Sequence, residues 1–166
     1  MDVIWTPWRY RYIAETARQK GVAEDACIFC ALQKRTDDAA AHILIRAEKN
    51  FVVLNAFPYT AGHLLIVPYK HGGEFPEAEP ETLAEMMRLA QQTQVAIQRA
   101  YSPDGFNLGI NLGRSAGAGV ADHLHMHLLP RWTGDANFMS VVGESRLIPE
   151  DLDSTYAKLR RELGLG

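Results

Sequence analysis

The chain has 166 residues, of which 47% are hydrophobic and 22% charged, and its formal net charge is −3. This length predicts a single domain over residues 1–166, divided into an N-terminal aromatic arm and helix (1–26), a core (27–131) and a C-terminal extension (132–166). The net charge gives no reason to expect a nucleic acid as partner, although a local site can still hold a small nucleotide.

The apolar runs and the first residues bear on where the protein works. The longest apolar runs are far too short to span a bilayer, and residues 1–5 lack the charged and then apolar pattern of a signal peptide. We therefore expect a cytoplasmic protein with no membrane partner.

An aromatic and basic arm precedes the rest of the chain. Residues 2–13 include Trp5, Trp8, Tyr10 and Tyr12. Large rings at this density are suited to packing against another surface. The arm can fold onto its own domain, or it can form a dimer contact or a surface that stacks nucleotide bases, and the sequence leaves these alternatives open. Residues 14–26 predict a helix and then a loose segment.

Cys27 and Cys30 are the two cysteines of the chain. In a reducing compartment such a pair is not a structural disulfide framework. It can be a redox pair, one half of a zinc site, or two buried and inert thiols. No thioredoxin-like βαβ pattern surrounds the pair, which disfavours the redox interpretation.

Four segments predict strands. Residues 43–45 and 51–54 are short apolar runs that predict a hairpin or meander. Residues 63–68 predict a buried strand that ends at Pro68, and residues 106–112 predict a further strand.

One segment, residues 80–101, predicts a long helix. Pro80 suits the first helical position and Glu81 the positive end of the helix dipole. Apolar residues recur at helical spacing, which predicts core packing, although Thr93 and Gln94 interrupt the stripe. The predicted stripe consists of Leu83, Met86, Met87, Ala90, Ile97 and Ala100. Residues 149–163 predict a last helix.

Residues 123–130 alternate histidine with apolar side chains. On a strand, His123, His125 and His127 share one face. The apolar residues of the other face are expected to pack on the core: Leu124, Met126 and Leu128. Histidine is a nucleophile, a proton carrier and a metal ligand near neutral pH, so three in a row predict a reactive surface.

Two kinds of chemistry fit this face. The three imidazoles can bind zinc and activate water for hydrolysis. Alternatively, His125 attacks an electrophilic phosphorus to form a covalent intermediate, while His127 donates hydrogen bonds to the phosphate or the leaving oxygen. The glycine-rich loop at 113–119 can then supply backbone N–H groups that spread the negative charge. A carbonyl group of the neighbouring strand would fix the tautomer of His125.

The chain resembles the histidine triad family, whose signature alternates three histidines with apolar residues, as residues 123–129 do. The resemblance also covers Cys27-Ile28-Phe29-Cys30, residues 51–68, the helix after Pro80 and residues 105–131. It implies an α+β fold, an antiparallel sheet with one long helix, paired as a homodimer. It also implies an enzyme, a nucleotidyltransferase or hydrolase that acts on a nucleoside phosphate carrying a leaving group.

Matching the family motif position by position assigns roles to individual residues. The resemblance implies that His125 is the nucleophile, that His127 contacts the phosphate and donates a proton, and that His63 lies near the site. The positions that match nucleotide-binding residues are Asn55 for the ribose and Asn111, Ser115, Gly117, Ala118 and Gly119 for the phosphates. The loop is slightly longer than in the common hydrolase branch.

Some family members, and the related galactose-1-phosphate uridylyltransferases, hold a structural zinc ion. The matching ligands here are Cys27, Cys30, His71 and His123, which form a closed set of two thiolates and two imidazoles. The resemblance therefore implies zinc and no organic cofactor. His42 has no role in this scheme, and we expect it to be a solvated loop residue.

Residues 5–9, Asp122 and residues 132–138 resemble the branch of bacterial and archaeal proteins related to diadenosine tetraphosphate phosphorylases. For this branch we expect cleavage of dinucleoside polyphosphates through a nucleotidyl-histidine, which inorganic phosphate then attacks to give ADP and ATP. Arg114 and Arg131 are candidates for the phosphate pocket. The alternatives are hydrolysis of dinucleoside polyphosphates or nucleoside phosphoramidates, and a nucleotide-binding regulatory protein with vestigial activity.

Overall fold

The computed structural model describes residues 27–135 and 150–165. The predicted aromatic arm and the helix expected within 14–26 lie outside the described residues. The same holds for residues 136–149, which include most of the C-terminal extension before the last helix.

Five strands of the described chain form one antiparallel sheet in the order β1-β2-β3-β5-β4. The strands are β1 (Ile43–Arg46), β2 (Asn50–Leu54), β3 (Leu64–Pro68), β4 (Gly105–Ile110) and β5 (Met126–Arg131). The predicted hairpin is β1–β2, and β5 pairs with both β3 and β4. β5, the last strand of the described residues, is therefore an interior strand of the sheet, and the predicted α+β fold with an antiparallel sheet is confirmed.

In the part of the chain that the structure describes, three α-helices and two short 3₁₀-helices accompany the sheet. They are α1 (Ile28–Gln33), α2 (Pro80–Tyr101) and α3 (Leu152–Glu162), with 3₁₀ turns at Phe75–Glu77 and Arg114–Ala116. None of the helices within residues 27–135 and 150–165 could span a bilayer.

The long helix α2 begins and ends at the predicted residues. Pro80 lies in its first turn, and Ser102 ends it in the left-handed conformation with φ of 45°. Two details of the predicted stripe are wrong. Met87 is 47% exposed, and Thr93, which interrupts the apolar stripe, is buried. Thr93 tolerates burial because its hydroxyl donates to the Leu89 carbonyl at 2.7 Å.

The sheet separates two apolar layers. One layer packs under α2 and α3 and contains Leu124, Met126 and Leu128, as the alternation predicts. The other layer lies under α1, where Phe29 packs with Leu65 and other strand residues. Because His127 lies opposite Leu65 in the β3–β5 ladder, its side chain projects from this second face.

The histidine stretch is a strand only in its second half. The ladder begins at Met126, so the prediction of a strand from residue 123 is wrong at its start. The reason is a contact with the loop after β3: the Leu124 N–H donates to the Gly72 carbonyl at 2.7 Å. This bond holds the segment around Leu124 against that loop, and His127 lies in the sheet.

Candidate active site and metal centre

Four predicted metal ligands converge beneath α1. One ligand atom from each of Cys27, Cys30, His71 and His123 lies within 4.8 Å of the others. The Cys27 Sγ lies 3.3 Å from the His123 Nδ1, and the Cys30 Sγ lies 3.4 Å from the His71 Nδ1. The cysteines are buried at the start of α1, and the two histidines come from the loop after β3 and the segment before β5.

The ring of His123 is oriented by a second contact. Its Nε2 lies 2.8 Å from the Pro68 carbonyl, an acceptor, so Nε2 carries the proton. The Nδ1 therefore presents its lone pair to the thiols. Metal-binding histidines are commonly held in this way by a carbonyl on the second ring nitrogen.

The donor set fits a tetrahedral zinc ion. Zinc–sulfur and zinc–nitrogen bonds of normal length place sulfur and nitrogen ligands about 3.5 Å apart. The sulfur–nitrogen distances of 3.3, 3.4 and 3.6 Å in the cluster agree with this spacing. In residues 27–135 and 150–165 this is the one cluster of three or more His, Cys, Asp or Glu side chains that could hold a metal ion. The three histidines of the alternating stretch, His123, His125 and His127, therefore do not form a separate metal site.

His125 is held in one tautomer. Its Nδ1 lies 2.8 Å from the carbonyl oxygen of His123, so Nδ1–H donates and Nε2 keeps its lone pair. The expected carbonyl thus belongs to the same segment of chain and not to the neighbouring strand. Burial lowers the pKa of His125, and the hydrogen bond to the carbonyl opposes this shift. A lone pair on Nε2 is what a nucleophilic histidine requires.

A chain of hydrogen bonds also sets the tautomer of His127. The Tyr59 backbone N–H donates to the Nδ1 of His63 at 3.1 Å. The His63 Nε2 therefore carries the proton and donates to the His127 Nδ1 at 3.0 Å. The proton of a neutral His127 then lies on Nε2, where it can be donated to a bound group.

The pKa of His127 is lowered to about 4 by burial, with a smaller contribution from His125. The imidazole is therefore neutral near pH 7. Before any anion binds, the neutral ring donates a hydrogen bond through its Nε2–H and carries no positive charge. An anionic group bound beside it would favour its protonated form.

Asn55 follows β2 and lies beside His63. Its side-chain amide nitrogen lies 3.3 Å from the His63 Nδ1, and its Oδ1 accepts the Phe57 backbone N–H at 3.0 Å. The second bond forms a turn that fixes the side chain. Asn55 is therefore held at the edge of the site, next to the histidine that positions His127.

The predicted phosphate loop connects β4 to the histidine segment. Gly113 and Gly117 have φ of 79° and 94°, a conformation that glycine adopts without strain. The N–H groups of Gly117 and Ala118 donate within the loop, to the carbonyls of Arg114 and Gly113. These bonds would have to lengthen or be shared when the same N–H groups contact an anion.

The other residues predicted to contact the phosphates lie in this loop or beside it. Ser115 and Gly119 are exposed. The Asn111 amide nitrogen lies within 3.8 Å of the position that a Cβ on Gly117 would take, so Asn111 and the loop are neighbours.

The two candidate arginines both contact carboxylates. Arg131 donates to both oxygens of Asp135 at 2.5 and 2.7 Å and to the Asn107 Oδ1 at 2.6 Å. Arg114 lies 3.9 Å from Asp122. A phosphate pocket built on either arginine would have to compete with a carboxylate that is already in contact.

His42 lies in the turn before β1, as expected, but its ring is half-buried and has partners, so it is not simply solvated. Its Nε2 lies 2.7 Å from an Asp153 oxygen, and its ring packs on Tyr156 of α3. The contact joins residues 111 positions apart in the chain. Nothing in the local sequence around His42 indicates this partner.

Two aromatic residues to which the sequence pattern assigns no role border the site. The Phe29 ring lies 5.1 Å from His125 and 5.4 Å from His123. The Tyr59 ring lies 4.6 Å from His63 and is stacked over His127 at 6.0 Å. The position of Phe29 inside the cysteine pair was a usable signal, because any metal joining the cysteines to His123 brings Phe29 along.

Known proteins share both the sequence and the fold. A family model for the HIT domain matches residues 36–134. An AP-4-A phosphorylase from Mycobacterium tuberculosis is 38% identical over 162 residues, which cover 96% of this chain and 83% of the relative.

Two solved structures have the same architecture. A Zn-bound histidine triad family protein from Mycobacterium smegmatis superposes with a TM-score of 0.69 at 29% identity, covering 86% of this chain and 96% of that one. A hypothetical histidine triad nucleotide-binding protein from Sulfolobus tokodaii has a TM-score of 0.68 at 31% identity, covering 83% and 92%.

The family match spans more than half of the chain, and the phosphorylase matches nearly all of it. The chain therefore belongs to the histidine triad family, the HIT domain proteins. The predicted family, its phosphorylase-like branch and the prediction of an enzyme are confirmed.

Proposed function

We propose that the chain cleaves dinucleoside polyphosphates, such as diadenosine tetraphosphate, by phosphorolysis through a covalent nucleotidyl-His125. The observation that carries this proposal is the bond from His125 Nδ1–H to the His123 carbonyl, which leaves Nε2 as a nucleophile. The similarity to an AP-4-A phosphorylase supports the substrate class.

The first step forms a phosphorus–nitrogen bond. The lone pair of the His125 Nε2 attacks the α-phosphorus of the substrate, and the bond from that phosphorus to the bridging oxygen breaks. Bound polyphosphate favours the protonated form of His127, which gives its Nε2 proton to the leaving oxygen and is left neutral. His63 positions His127 through the contact between its Nε2 and the His127 Nδ1. With diadenosine tetraphosphate the products of this step are ATP and AMP bonded to His125.

The second step decides between two reactions. When an oxygen of inorganic phosphate attacks the adenylyl phosphorus, the phosphorus–nitrogen bond breaks and ADP leaves. When water attacks, AMP leaves. In this scheme Asn55 contacts the ribose, while Asn111, Ser115 and the backbone of Gly117, Ala118 and Gly119 contact the phosphates.

We also propose that Cys27, Cys30, His71 and His123 hold a structural zinc ion, which the Zn-bound family structure supports. Four protein ligands leave no open coordination position, so a zinc ion bound there would stabilise the fold and supply no activated water. The same chain segment carries His123 and His125, and the cluster would therefore also help to position the nucleophile.

A homodimer remains a proposal that rests on the family resemblance. In the described chain β4 is an edge strand, and it exposes Leu108. Light scattering on the full chain would test this, and removal of residues 1–12 would show whether the aromatic arm contributes. A monomeric mass for the full chain would refute it.

A product assay tests the proposed reaction. Purified protein is incubated with diadenosine tetraphosphate, with and without inorganic phosphate, and the nucleotides are separated. We expect ADP and ATP only when phosphate is present. AMP and ATP in both reactions would make the enzyme a hydrolase, and no product would favour a regulatory nucleotide-binding protein.

A pair of histidine variants tests the covalent step. His125→Ala should abolish turnover with the fold retained, whereas His42→Ala, which removes a surface contact to α3, should keep it. Rapid quenching of the wild-type enzyme without phosphate should trap protein that is heavier by one adenylyl group. Full activity of His125→Ala would refute the nucleotidyl-histidine scheme.

Metal analysis and unfolding test the zinc proposal. The purified protein should contain one zinc ion per chain, and Cys30→Ser should lower both the zinc content and the thermal midpoint, because metal binding is linked to folding. A wild-type protein without zinc, or a variant with unchanged zinc content, would contradict it.

A further inference from the structure

Gly109 occupies an unusual position in β4. It lies directly opposite His127 in the β4–β5 ladder, so any side chain at 109 would project from the same face as the imidazole. Glycine is disfavoured inside strands because it adds backbone entropy to the unfolded chain and has no side chain to pack. A strand residue beside a reactive histidine therefore needs a reason to be glycine.

Backbone geometry does not supply that reason. The β4–β5 register is continuous from Gly105 to Ile110, without a bulge. Gly109 is not among the glycines with positive φ, so any residue can adopt its backbone conformation. Among the described residues, no heavy atom beyond its chain neighbours lies within 4 Å of the position that a Cβ would take. The close approach of a ligand or of another backbone remains as the reason for a glycine here, and the His127 imidazole on the same face favours a ligand.

The two sides of His127 differ in how they are filled. On the β3 side, His63 bonds to its Nδ1 at 3.0 Å and the Tyr59 ring stacks over it. On the β4 side, the position opposite in the ladder is Gly109, which is exposed. Among the described residues, a group that receives a proton from the His127 Nε2 therefore has open space over β4.

The chemistry of the two sides also differs. The β3 side offers the Tyr59 ring and Asn55, which suit a nucleoside. Along β4, Asn107 shares the face of Gly109 and is exposed, and Asn111 follows two residues after it. Side-chain amides can donate hydrogen bonds to phosphate oxygens, so this side suits a polyphosphate.

We propose that Gly109 determines the selectivity of the site for large leaving groups. The polyphosphate of the leaving nucleotide passes directly over the backbone of residue 109, where any side chain would obstruct it. The inference rests on the proposed function, since the leaving group is the one that takes the proton of His127. It assigns a specificity role to a residue with no side chain and no reacting atom.

The test compares bulk at two glycines of the same strand. The variants Gly109→Ala, Gly109→Val and Gly109→Leu place side chains of increasing size in the space over the backbone of residue 109. Gly105→Val is the matched control. Gly105 lies on the same face of β4, has no positive φ and has no described atom within 4 Å of its Cβ position. It differs in that it lies opposite Arg131 and not opposite His127. Thermal unfolding and light scattering should show an unchanged fold and mass for each variant.

The two substrates differ in the size of the leaving group. Diadenosine tetraphosphate releases ATP, whereas adenosine 5′-phosphoramidate releases ammonia from the same adenylyl phosphorus. We expect kcat/KM for diadenosine tetraphosphate to fall about tenfold or more in Gly109→Val, because one misplaced methylene group in a fitted site costs that much. The value for the phosphoramidate should stay within about threefold, as should both values in Gly105→Val.

Several outcomes would overturn the inference. An equal loss on both substrates would mean that residue 109 affects the adenylyl site and not the leaving group, and no loss in the Ala, Val and Leu series would mean that nothing passes over it. A wild-type enzyme that turns over neither substrate refutes the proposed function itself, before any variant is compared.

Discussion

Of the described glycines, Gly73 has the least room for a side chain, and it lies in the loop that carries His71. A Cβ added to Gly73 would lie 2.2 Å from the Ala121 carbonyl oxygen and 3.1 Å from the Asp122 Cα. The neighbouring bond from Leu124 N–H to the loop shows that the two segments run side by side. Gly73→Ala should therefore push the loop away from the segment that leads to His123.

The size of the effect follows from this geometry. Cβ contacts under 3.0 Å are essentially absent from real structures, so the gap between residue 73 and Ala121 has to open from 2.2 Å to at least that distance. Both neighbours are backbone atoms, which cannot rotate away as the end of a flexible side chain can. Overpacking of this kind costs about 1–3 kcal/mol of unfolding free energy. In a chain of this size the thermal midpoint should fall by about 2–12 °C.

The assay is urea unfolding together with zinc analysis. Gly72→Ala is the control, because a Cβ at that position has no described atom within 4 Å. Gly73→Ala should unfold at lower urea and lose zinc more readily to a chelator, since His71 and His123 move apart. If Gly73→Ala and Gly72→Ala unfold alike and keep zinc equally well, the inferred contact does not constrain the protein.

Three further predictions concern acid stability, the histidine pair and the β1–β2 turn. Because the pKa of His127 is about 4 in the folded chain and about 6.5 when unfolded, the unfolded chain binds more protons between these values, and stability should fall as the pH drops through this window. Thermal scans at about pH 7 and about pH 5 should show a smaller drop for His127→Gln, and an equal drop would contradict the shift. His63→Ala should lower kcat about tenfold or more by releasing the His127 tautomer, with little change in His42→Ala, whereas a pure rise in KM would argue against a positioning role. Glu85→Ala should cost about 1–3 kcal/mol in urea unfolding, because its carboxylate accepts two backbone N–H groups of the turn, while the exposed Glu81→Ala should cost far less.

Sequence periodicity was sufficient where one local rule decides the structure. Pro80 and the helical spacing after it predicted α2, and the apolar alternation predicted that Leu124, Met126 and Leu128 face the core. Met87 and Thr93 of α2 were assigned to the wrong environments. The spacing of apolar residues along a helix shows only which side chains are apolar. The burial of Thr93 depends in addition on its hydroxyl, which donates to a carbonyl of the same helix.

Long-range polar contacts could not be predicted in the same way. The family resemblance named the metal ligands, but not the Pro68 carbonyl that orients His123 or the His123 carbonyl that orients His125. Each of these bonds depends on distances between backbone atoms in the folded chain. The partner of His42 lies on α3, and its identity depends on how that helix packs against β1.

His123 connects the candidate metal centre to the proposed nucleophile, His125. Its ring faces the thiols, and its carbonyl oxygen accepts the Nδ1–H of His125 at 2.8 Å. A loss of order at the candidate metal centre should therefore reach His125 through the position of this carbonyl, while the residues proposed to bind the nucleotide are less affected. Metal removal should accordingly lower kcat more than it raises KM.

Temperature separates this positioning role from direct metal catalysis. With a structural zinc, the metal-free protein should regain a measurable fraction of its activity when it is assayed well below its lowered thermal midpoint, because His125 and His127 are still present and the fold is populated. With a metal that activates water, the metal-free protein should be inactive at every temperature. A protein that is fully folded by circular dichroism, free of metal and inactive at low temperature would refute the structural assignment.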